Sequence, residues 1–521
     1  MTEAGRGEPG RSRRAGLGGG RSLGLALLVA LGLALALEGC GGRRELTIIV
    51  ISLDTTRPDH LSAYGYDRET TPTLARLARE GVTFSECRSS SSWTLPGHAS
   101  LFTGLPVPMH RMVMDLDVMD PALPTMGEIF SAADFRTMGF FSAPYVHGRY
   151  GFARGMDFYQ RCIDPVIWDI PPDRRQERLR ALEAASHRQI SSHEVVERAV
   201  RTLVTRGRPR NLVFMHLFDP HYDFMADRRY TQRFVDPDYT GPIDGRGVFT
   251  DDIVTGTGLD AADKQQLRDL YDAELAWTDE NLAALLKNLE HEGKLDSTLV
   301  VVTSDHGEEF YEHGRFGHRF TLNDEVLRIP LLVWGPSLGV PAGKTIDEPV
   351  AIYDVLPTLM DYADIASDDR IFGRSLRPLI EGQPLPPRPT SASLHYFPAE
   401  SKDHYVLTEA LVHQGLKFQR TVQVEWSPQR QMEVDGPEIA GTERTAVFDL
   451  TADPGETRDL LAAGDPRAAA LVEAHAIEQR RQLEARARLL GETISTPSDD
   501  AGITLMESLQ AGGYIMGSDS K

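Results

Sequence analysis

Short apolar runs alternate with amphipathic segments along most of this chain. The apolar runs are rich in β-branched residues and lie at residues 47–53, 211–217 and 297–303. This is the pattern of strands that are buried on both faces of a parallel sheet. Segments with a helical period lie at residues 71–81, 125–133 and 263–292. The alternation predicts an α/β fold with a doubly wound, mostly parallel sheet flanked by helices.

The pattern changes in the last third of the chain. Residues 384–389 form a proline-rich, linker-like break, and residues 390–460 have the pattern of a few antiparallel strands. Residues 223–258 show little periodicity and many turn formers, so we predict a long loop beside the functional site. The predicted organisation is a leader over 1–44, an α/β catalytic domain over 45–385, a small C-terminal α+β subdomain over 386–465, and a C-terminal helix with a polar tail over 466–521.

The first 44 residues have the features of an export signal. Five arginines within residues 6–21 precede an apolar stretch at 23–37, which is the order found in signal peptides. The sequence Leu37-Glu-Gly-Cys40 resembles the lipobox of bacterial lipoproteins and makes Cys40 the candidate lipidation site, although Glu38 departs from the usual small or apolar residue. An uncleaved membrane anchor and a twin-arginine signal are the alternatives. All three predict a protein of the bacterial envelope, periplasmic or at the cell surface, and a cytosolic protein with an unusual leader is the remaining alternative.

The overall charge limits the choice of partners. A formal net charge of -21 argues against nucleic acid bound through a basic surface. An anionic small substrate stays compatible with this charge, because a bound metal ion inverts the local field. Cys87 and Cys162 are interpreted as packed or free thiols, and a single disulfide is the alternative in an exported protein. The composition does not determine the oligomeric state.

Polar residues follow the ends of two predicted strands. Asp54 comes directly after the run at 47–53, and Asp305 and His306 follow the run at 297–303. Because ligands in open α/β sheets collect outside the carboxyl ends of the strands, we expect these residues to converge with Thr94 on one divalent metal ion. Two carboxylates, a hydroxyl and an imidazole favour manganese or zinc over calcium or magnesium.

The order and spacing of these segments resemble the sulfatase family of the alkaline phosphatase superfamily. The resemblance runs from about Thr47 to about Leu460 and includes His216-Leu-Phe-Asp-Pro-His221 and Gly317-His318. It implies an alkaline phosphatase-like fold. It also implies a metal-dependent hydrolase that acts on anionic esters, namely phosphate, phosphonate or sulfate esters.

Thr94 is the main departure from the sulfatase pattern. It stands where sulfatases have a Cys or Ser that is converted to formylglycine, and His98 stands at their arginine position. A threonine nucleophile instead resembles phosphoethanolamine transferases, lipoteichoic acid synthases and nucleotide phosphodiesterases of the same superfamily. We interpret Thr94 as the nucleophile at a helix start, with helix capping alone as the alternative.

Three functions stay open at this level: hydrolysis, group transfer and binding without catalysis. Hydrolysis is preferred over phosphoryl transfer to an alcohol, because transferases usually add several membrane spans and this chain has a single leader. A non-catalytic, lipid-anchored binding protein on a sulfatase scaffold is the third reading. The retained Asp54, Asp305 and His306 argue against it, since a decayed site would lose its metal ligands.

The resemblance also assigns residues around the substrate. His318 is expected to donate to the substrate oxygens, and His221 is expected to protonate the leaving oxygen. Structural loop histidines, or ligands of a second metal ion, are the alternatives for this pair. His98 is a candidate catalytic residue, and Arg57 is a candidate substrate-binding residue because it follows the first metal strand.

Overall fold

The computed structural model describes residues 44–162, 191–247, 250–398, 401, 403–426 and 436–491. Contacts divide the chain after Glu45, and every element named below belongs to the unit Leu46–Lys521. The predicted lipidation site Cys40 and the apolar leader lie outside the described residues. The predicted domain boundaries at 385 and 465 stay predictions.

Two sheets and a short hairpin contain the strands of this unit. The strands are β1 (Leu46–Leu53), β2 (Val82–Arg88), β3 (Arg136–Phe141), β4 (Phe158–Arg161), β5 (Arg210–Leu217), β6 (Thr298–Thr303), β7 (Glu309–Phe310), β8 (Phe316–Gly317), β9 (Arg328–Trp334), β10 (Lys344–Ile346), β11 (Val350–Ala351), β12 (Thr390–Tyr396), β13 (His404–His413), β14 (Leu416–Glu425) and β15 (Arg444–Asp449). The larger sheet has the order β10-β2-β9-β6-β1-β5-β3-β4, and β11 also pairs with β2. Among its described strands only β9 runs antiparallel to its neighbours.

Helices cover both faces of the larger sheet. They are α1 (Pro72–Glu80), α2 (Thr94–Thr103), α3 (Val107–His110), α4 (Met126–Ala132), α5 (Ser192–Arg206), α6 (Arg228–Phe234), α7 (Asp251–Thr255), α8 (Ala261–His291), α9 (Asp324–Leu327), α10 (Val355–Tyr362), α11 (Arg377–Ile380) and α12 (Pro466–Leu490). Alternate residues of β1 enter two different apolar clusters: Ile48 and Val50 pack in one, and Ile49 and Ile51 pack in the other. The sheet therefore separates two hydrophobic cores, and the predicted doubly wound, mostly parallel fold is confirmed.

The smaller sheet is antiparallel, with the order β12-β13-β14-β15. Phe418 of β14 and Val447 of β15 pack against Leu471 and Val472 of α12. Ala392 of β12 belongs to the first core of the larger sheet. The predicted C-terminal strands and the final helix are thus present.

Two sequence predictions, the loop over 223–258 and the state of the two cysteines, can be compared with the structure. The predicted loop over 223–258 contains two short helices, α6 and α7, which the weak periodicity did not indicate. Cys87 and Cys162 are free and buried, and they pack in the two separate cores on opposite faces of the sheet. Among the described helices, none combines the length and the apolar character required to cross a membrane.

Candidate active site

Three neighbouring parallel strands deliver polar side chains to one edge of the larger sheet. In the shared register, Ser52 of β1 lies opposite His216 of β5 and Thr303 of β6. Asp54 directly follows β1, and Asp305 lies two residues beyond the end of β6. The carboxyl ends of these strands therefore meet as the sequence predicts, and Asp54 and Asp305 are fully buried there.

Helix α2 brings Thr94 to the same edge. The helix begins at Thr94, so Trp93 is the N-cap residue, and Thr94 is the first helical residue rather than the cap. A side chain at Gly97 would lie 2.7 Å from the backbone oxygen of Asp305, which only glycine permits. The hydroxyl of Ser89 also donates to that backbone oxygen. Together these contacts place Thr94 Oγ1 3.4 Å from His306 Nε2.

The predicted metal ligands form one buried cluster. His306 Nε2 lies 3.7 Å from Asp54 Oδ1 and 3.4 Å from Asp305 Oδ2. The ring of His306 donates from Nδ1 to the backbone oxygen of Gly307 at 2.9 Å. That bond fixes the tautomer and leaves the Nε2 lone pair facing the two carboxylates.

The carboxylates of this cluster are buried without enough hydrogen-bond donors. Both carboxylate oxygens of Asp54 and Oδ2 of Asp305 are buried without a hydrogen-bond partner among the described residues. Burial raises the pKa of each carboxyl to about 7, and burial lowers the pKa of His306 to about 4. Unpaired buried carboxylates are costly, and a divalent cation beside a neutral imidazole removes that cost. The residues present therefore fit a metal ion.

A second set of possible ligands overlaps the first. Asp54, Asp305 and His306 form one group whose ligating atoms lie within 4.8 Å of one another, and His98, His216 and Asp305 form another. His98 Nδ1 lies 2.9 Å from the backbone oxygen of Thr94. A carbonyl only accepts, so this nitrogen carries its proton and has no lone pair for a metal. The first group is thus the better metal site.

His98 is a fully buried residue of the first turns of α2, and it is not among the residues that line the pocket beside Thr94. Its Nε2 accepts a 3.0 Å bond from the Ser52 hydroxyl, and its Nδ1 lies 3.4 Å from Asp305 Oδ2. Burial lowers the pKa of His98 to about 3, so the ring is neutral. These contacts are those of a positioning residue for Thr94 and Asp305, and the predicted catalytic role of His98 stays a prediction.

A pocket opens beside Thr94 and contains the other two predicted histidines. Its lining is formed by Trp93, Thr94, Ala143, Pro144, Tyr145, Phe218, His221, Tyr222, His318 and Arg319. The rings of His221 and His318 lie 4.9 Å apart, and the rings of His306 and His318 lie 4.5 Å apart. His221 Nδ1 lies 2.7 Å from the backbone oxygen of Tyr222, and His318 Nδ1 lies 2.8 Å from Glu308 Oε1. The structure thus brings Thr94, His221 and His318 to one pocket.

Arg57 is placed differently from the other predicted site residues. Its guanidinium pairs with Asp59 at 2.6 Å and Glu312 at 2.7 Å, and it donates to the backbone oxygen of Glu308 at 3.0 Å. Arg57 is not one of the residues that line the pocket beside Thr94. Its substrate-binding role stays a prediction.

Three residues of the site were not singled out from the sequence. His216 is fully buried with Nε2 3.1 Å from Asp54 Oδ2, in an orientation that makes no hydrogen bond. Burial raises the pKa of Glu308, the partner of His318, to about 8. Arg319 follows His318 and lines the pocket. His216 and Glu308 lie next to sequence features that were already identified. His216 lies near the end of the apolar run 211–217, and Glu308 follows Asp305-His306-Gly307. No sequence signal distinguishes Arg319.

Comparisons with known proteins agree with this architecture. A profile of the Sulfatase family matches residues 47–365, and one described as N-sulphoglucosamine sulphohydrolase, C-terminal, matches residues 311–426. The multifunctional alkaline phosphatase superfamily protein PehA of Trinickia caryophylli is 27% identical over 474 residues, which cover 78% of this chain and 88% of that protein. The N-acetylglucosamine-6-O-sulfatase of Bacteroides thetaiotaomicron is 24% identical over 458 residues, covering 71% and 79%. The crystal structure of the phosphonate monoester hydrolase of Agrobacterium radiobacter superposes with a TM-score of 0.65 at 20% identity, covering 85% of this chain and 96% of that one.

Proposed function

Because the chain belongs to the sulfatase family and is an ester hydrolase of that family, we propose that it hydrolyses phosphate or phosphonate esters through a covalent intermediate on Thr94. The observation that carries the proposal is the position of the Thr94 hydroxyl. It lies 3.4 Å from His306 Nε2 and lines the pocket that also contains His221 and His318. A threonine hydroxyl is an oxygen nucleophile that requires no conversion to formylglycine.

Four residues would hold a divalent metal ion, which we propose to be manganese or zinc. They are Asp54, Asp305, His306 and Thr94. Such an ion supplies positive charge to the anionic ester group and lowers the pKa of an adjacent hydroxyl. Calcium or magnesium is the less suitable occupant, because both prefer an all-oxygen ligand set and His306 offers nitrogen.

In the proposed reaction, the side chains of the pocket supply the nucleophile and the proton donors. The Thr94 hydroxyl gives up its proton to solvent, and its oxygen attacks phosphorus while the bond from phosphorus to the leaving oxygen breaks. His221 donates a proton to that leaving oxygen, and His318 donates to a non-bridging oxygen of the ester. Water then attacks phosphorus and the bond from phosphorus to Thr94 Oγ1 breaks. One proton of the water passes to the Thr94 oxygen, the other stays on the released phosphate or phosphonate, and His221 regains its proton from solvent.

The choice of phosphorus over sulfur follows from the chemistry of threonine. A formylglycine hydrate has a second hydroxyl, so it can expel sulfate by breaking its own C–O bond. Threonine has one hydroxyl, and a sulfated Thr94 lacks this route. A phosphorylated Thr94 is instead hydrolysed by attack at phosphorus. Sulfate esters are the second candidate substrate class, because an N-acetylglucosamine-6-O-sulfatase is 24% identical to this chain.

A substrate panel with two variants of Thr94 tests the proposal. Metal-stripped protein is assayed with matched aryl phosphate, phosphonate and sulfate esters after addition of manganese, zinc, calcium or magnesium. We expect phosphorus esters to be turned over faster than the sulfate ester, with activity lost on chelation. Thr94→Val keeps the shape but removes the hydroxyl, so kcat should fall by about three orders of magnitude or more, whereas Thr94→Ser should retain part of it. A faster sulfate ester, or a fully active Thr94→Val, would contradict the proposal.

A further inference from the structure

One side chain sets the charge of the pocket beside Thr94. The lining contains aromatic and small apolar residues, Thr94, two histidines and Arg319. None of these lining residues is a carboxylate, and Arg319 is the one that is charged at every working pH. This guanidinium lies among the lining residues beside the reacting group, and it is paired with Asp115, which is not one of them.

Arg319 is held in a fixed orientation. Its guanidinium carbon lies 4.1 Å from the ring centre of Trp93 and 5.5 Å from that of Tyr145. Its Nη2 donates to Asp115 Oδ1 at 2.6 Å, and its backbone N–H donates to the backbone oxygen of Ser92 at 3.0 Å. Its backbone has φ of 73°, a left-handed conformation that is uncommon outside glycine. The cation is therefore positioned before any substrate arrives.

We propose that Arg319 binds a second anionic group on the organic part of the ester, so that preferred substrates carry a carboxylate or a further anionic ester besides the one that reacts. This inference rests on the proposed function of the Thr94 pocket. A guanidinium has five N–H donors, and its planar edge matches a carboxylate or phosphate through two parallel hydrogen bonds. The side chain is 35% exposed, so part of it is open to a ligand. Trp93 is buried beneath the guanidinium, and the half-buried Tyr145 beside it offers an aromatic surface for the carrier of that anion.

A purely structural role for Arg319 makes a different prediction. In that case Arg319 serves only to hold the loop that contains Asp115 through their ion pair. Removing either partner should then have the same effect on every substrate. If Arg319 instead binds substrate, Asp115 competes with the ligand, and its removal should leave anion binding unchanged or stronger. The Asp115→Asn variant therefore separates the two roles.

Binding of two isosteric ligands tests the inference without requiring turnover. We would measure the Kd of 4-carboxybenzylphosphonate and 4-carbamoylbenzylphosphonate by calorimetry with metal-loaded full-length protein. Neither ligand has an ester bond, and they differ only in the charge of the para group. Wild-type protein should prefer the carboxylate, and Arg319→Gln should reduce that preference roughly 10- to 100-fold. Arg319→Lys should retain part of the preference because it keeps the charge, and Asp115→Asn should retain all of it.

The matching esters give the kinetic readout. With 4-carboxyphenyl and 4-carbamoylphenyl phosphate, Arg319→Gln should raise KM for the first and change kcat little for either. Equal binding of the two ligands by wild-type protein would overturn the inference, and so would equal losses in Arg319→Gln and Asp115→Asn. Failure of wild-type protein to hydrolyse either phosphate, with the difference in Kd intact, would instead contradict the proposed function and leave the anion site standing.

Discussion

Asp54 and Asp305 are buried carboxyl groups with incomplete hydrogen bonding. Among the described residues, neither oxygen of Asp54 has a hydrogen-bond partner, and the same is true of Oδ2 of Asp305. Burial raises the pKa of both groups to about 7, compared with an ordinary value near 4. Without a cation, the folded protein therefore holds protons that the unfolded chain would release between these pH values. The consequence is a coupling between metal binding, protonation and stability.

That coupling predicts how metal affinity depends on pH. Because the folded pKa is raised, the stabilising effect of the protonated carboxyls is complete below about pH 4 and is lost as the pH rises through about 7. Metal-free protein should thus lose stability over this range, and metal binding should strengthen over the same range because it must displace these protons. We expect the gain in Tm on adding manganese or zinc to be larger at about pH 8.5 than at about pH 5.5. Calorimetry in buffers of different ionisation enthalpy should detect proton release, and a gain in Tm that is independent of pH would rule out this linkage.

Single residues also show what the sequence could and could not predict. Asp54, Asp305 and His306 were predictable because they follow apolar strands whose ends meet in any parallel sheet. His216 was not singled out because it lies inside an apolar strand, where its contact with Asp54 depends on the pairing of β1 with β5. The stacking of Arg319 on Trp93 depends on a left-handed backbone at residue 319, and local propensity does not predict that conformation for arginine.

At the scale of elements, α6 illustrates a helix that its own sequence does not specify. Its apolar residues Tyr230 and Phe234 pack against Ala273 and Ala276 of α8, and the Tyr230 hydroxyl bonds to Glu280. A helix of seven residues is marginal alone, so tertiary packing supplies its stability. The periodicity of 223–258 therefore predicted a loop, while α8, with its longer repeat, was predictable.

A buried ion pair joins β14 to the segment that follows the pocket. Lys417 Nζ donates to Glu456 Oε2 at 2.6 Å and to the backbone oxygen of Leu322 at 2.5 Å, and Glu456 accepts from the backbone N–H of Asp324 at 2.6 Å. Both side chains are almost completely buried. Leu322 lies four residues beyond His318, so this pair holds the segment that follows the pocket histidine.

Removing one partner of this pair should lower the free energy of unfolding much more than removing both charges. Lys417→Met leaves Glu456 buried and unpaired, and we expect it to lower the free energy of unfolding by about 3–5 kcal/mol. The double variant Lys417→Met with Glu456→Gln should recover a large part of that loss, because the unpaired charge of Glu456 is then removed as well. Denaturant unfolding checks both, with Arg467→Met on the exposed face of α12 as a control that should change little. Equal losses in the single and double variants would show that the charge of Glu456 is unimportant.

At the scale of the whole molecule, we propose that the chain is exported and anchored by lipid at Cys40. The basic leader, the apolar stretch at 23–37 and the lipobox-like Leu37-Glu-Gly-Cys40 support this proposal. Two acyl chains on a cysteine give stable membrane association, whereas one chain alone is marginal. The catalytic unit would then act on anionic esters at the envelope surface.

Expression of the full-length chain in a bacterial host tests the anchor. We expect the protein in the membrane fraction, with mass spectrometry finding a lipidated Cys40 as its first residue. Cys40→Ser should carry no lipid and should keep the uncleaved leader, which mass spectrometry detects, while activity on soluble esters stays unchanged because Cys40 precedes the catalytic unit. A cytoplasmic, soluble product that still begins at Met1 would show that the leader has another role.

If Thr94 carries the covalent intermediate, acid-quench trapping should capture it on that residue. Metal-loaded protein is mixed with excess aryl phosphate, quenched in acid within the first turnovers and digested, and the peptides are mapped by mass spectrometry. The hydroxyl lies beside His306 Nε2 in the pocket with His221 and His318, so we predict one phosphoryl group on the peptide containing Thr94, located on that residue by fragmentation. The same adduct should be missing in Thr94→Val. A phosphoryl group on another residue, or release of product with no protein-bound phosphoryl group at any time point, would show that Thr94 is not the nucleophile.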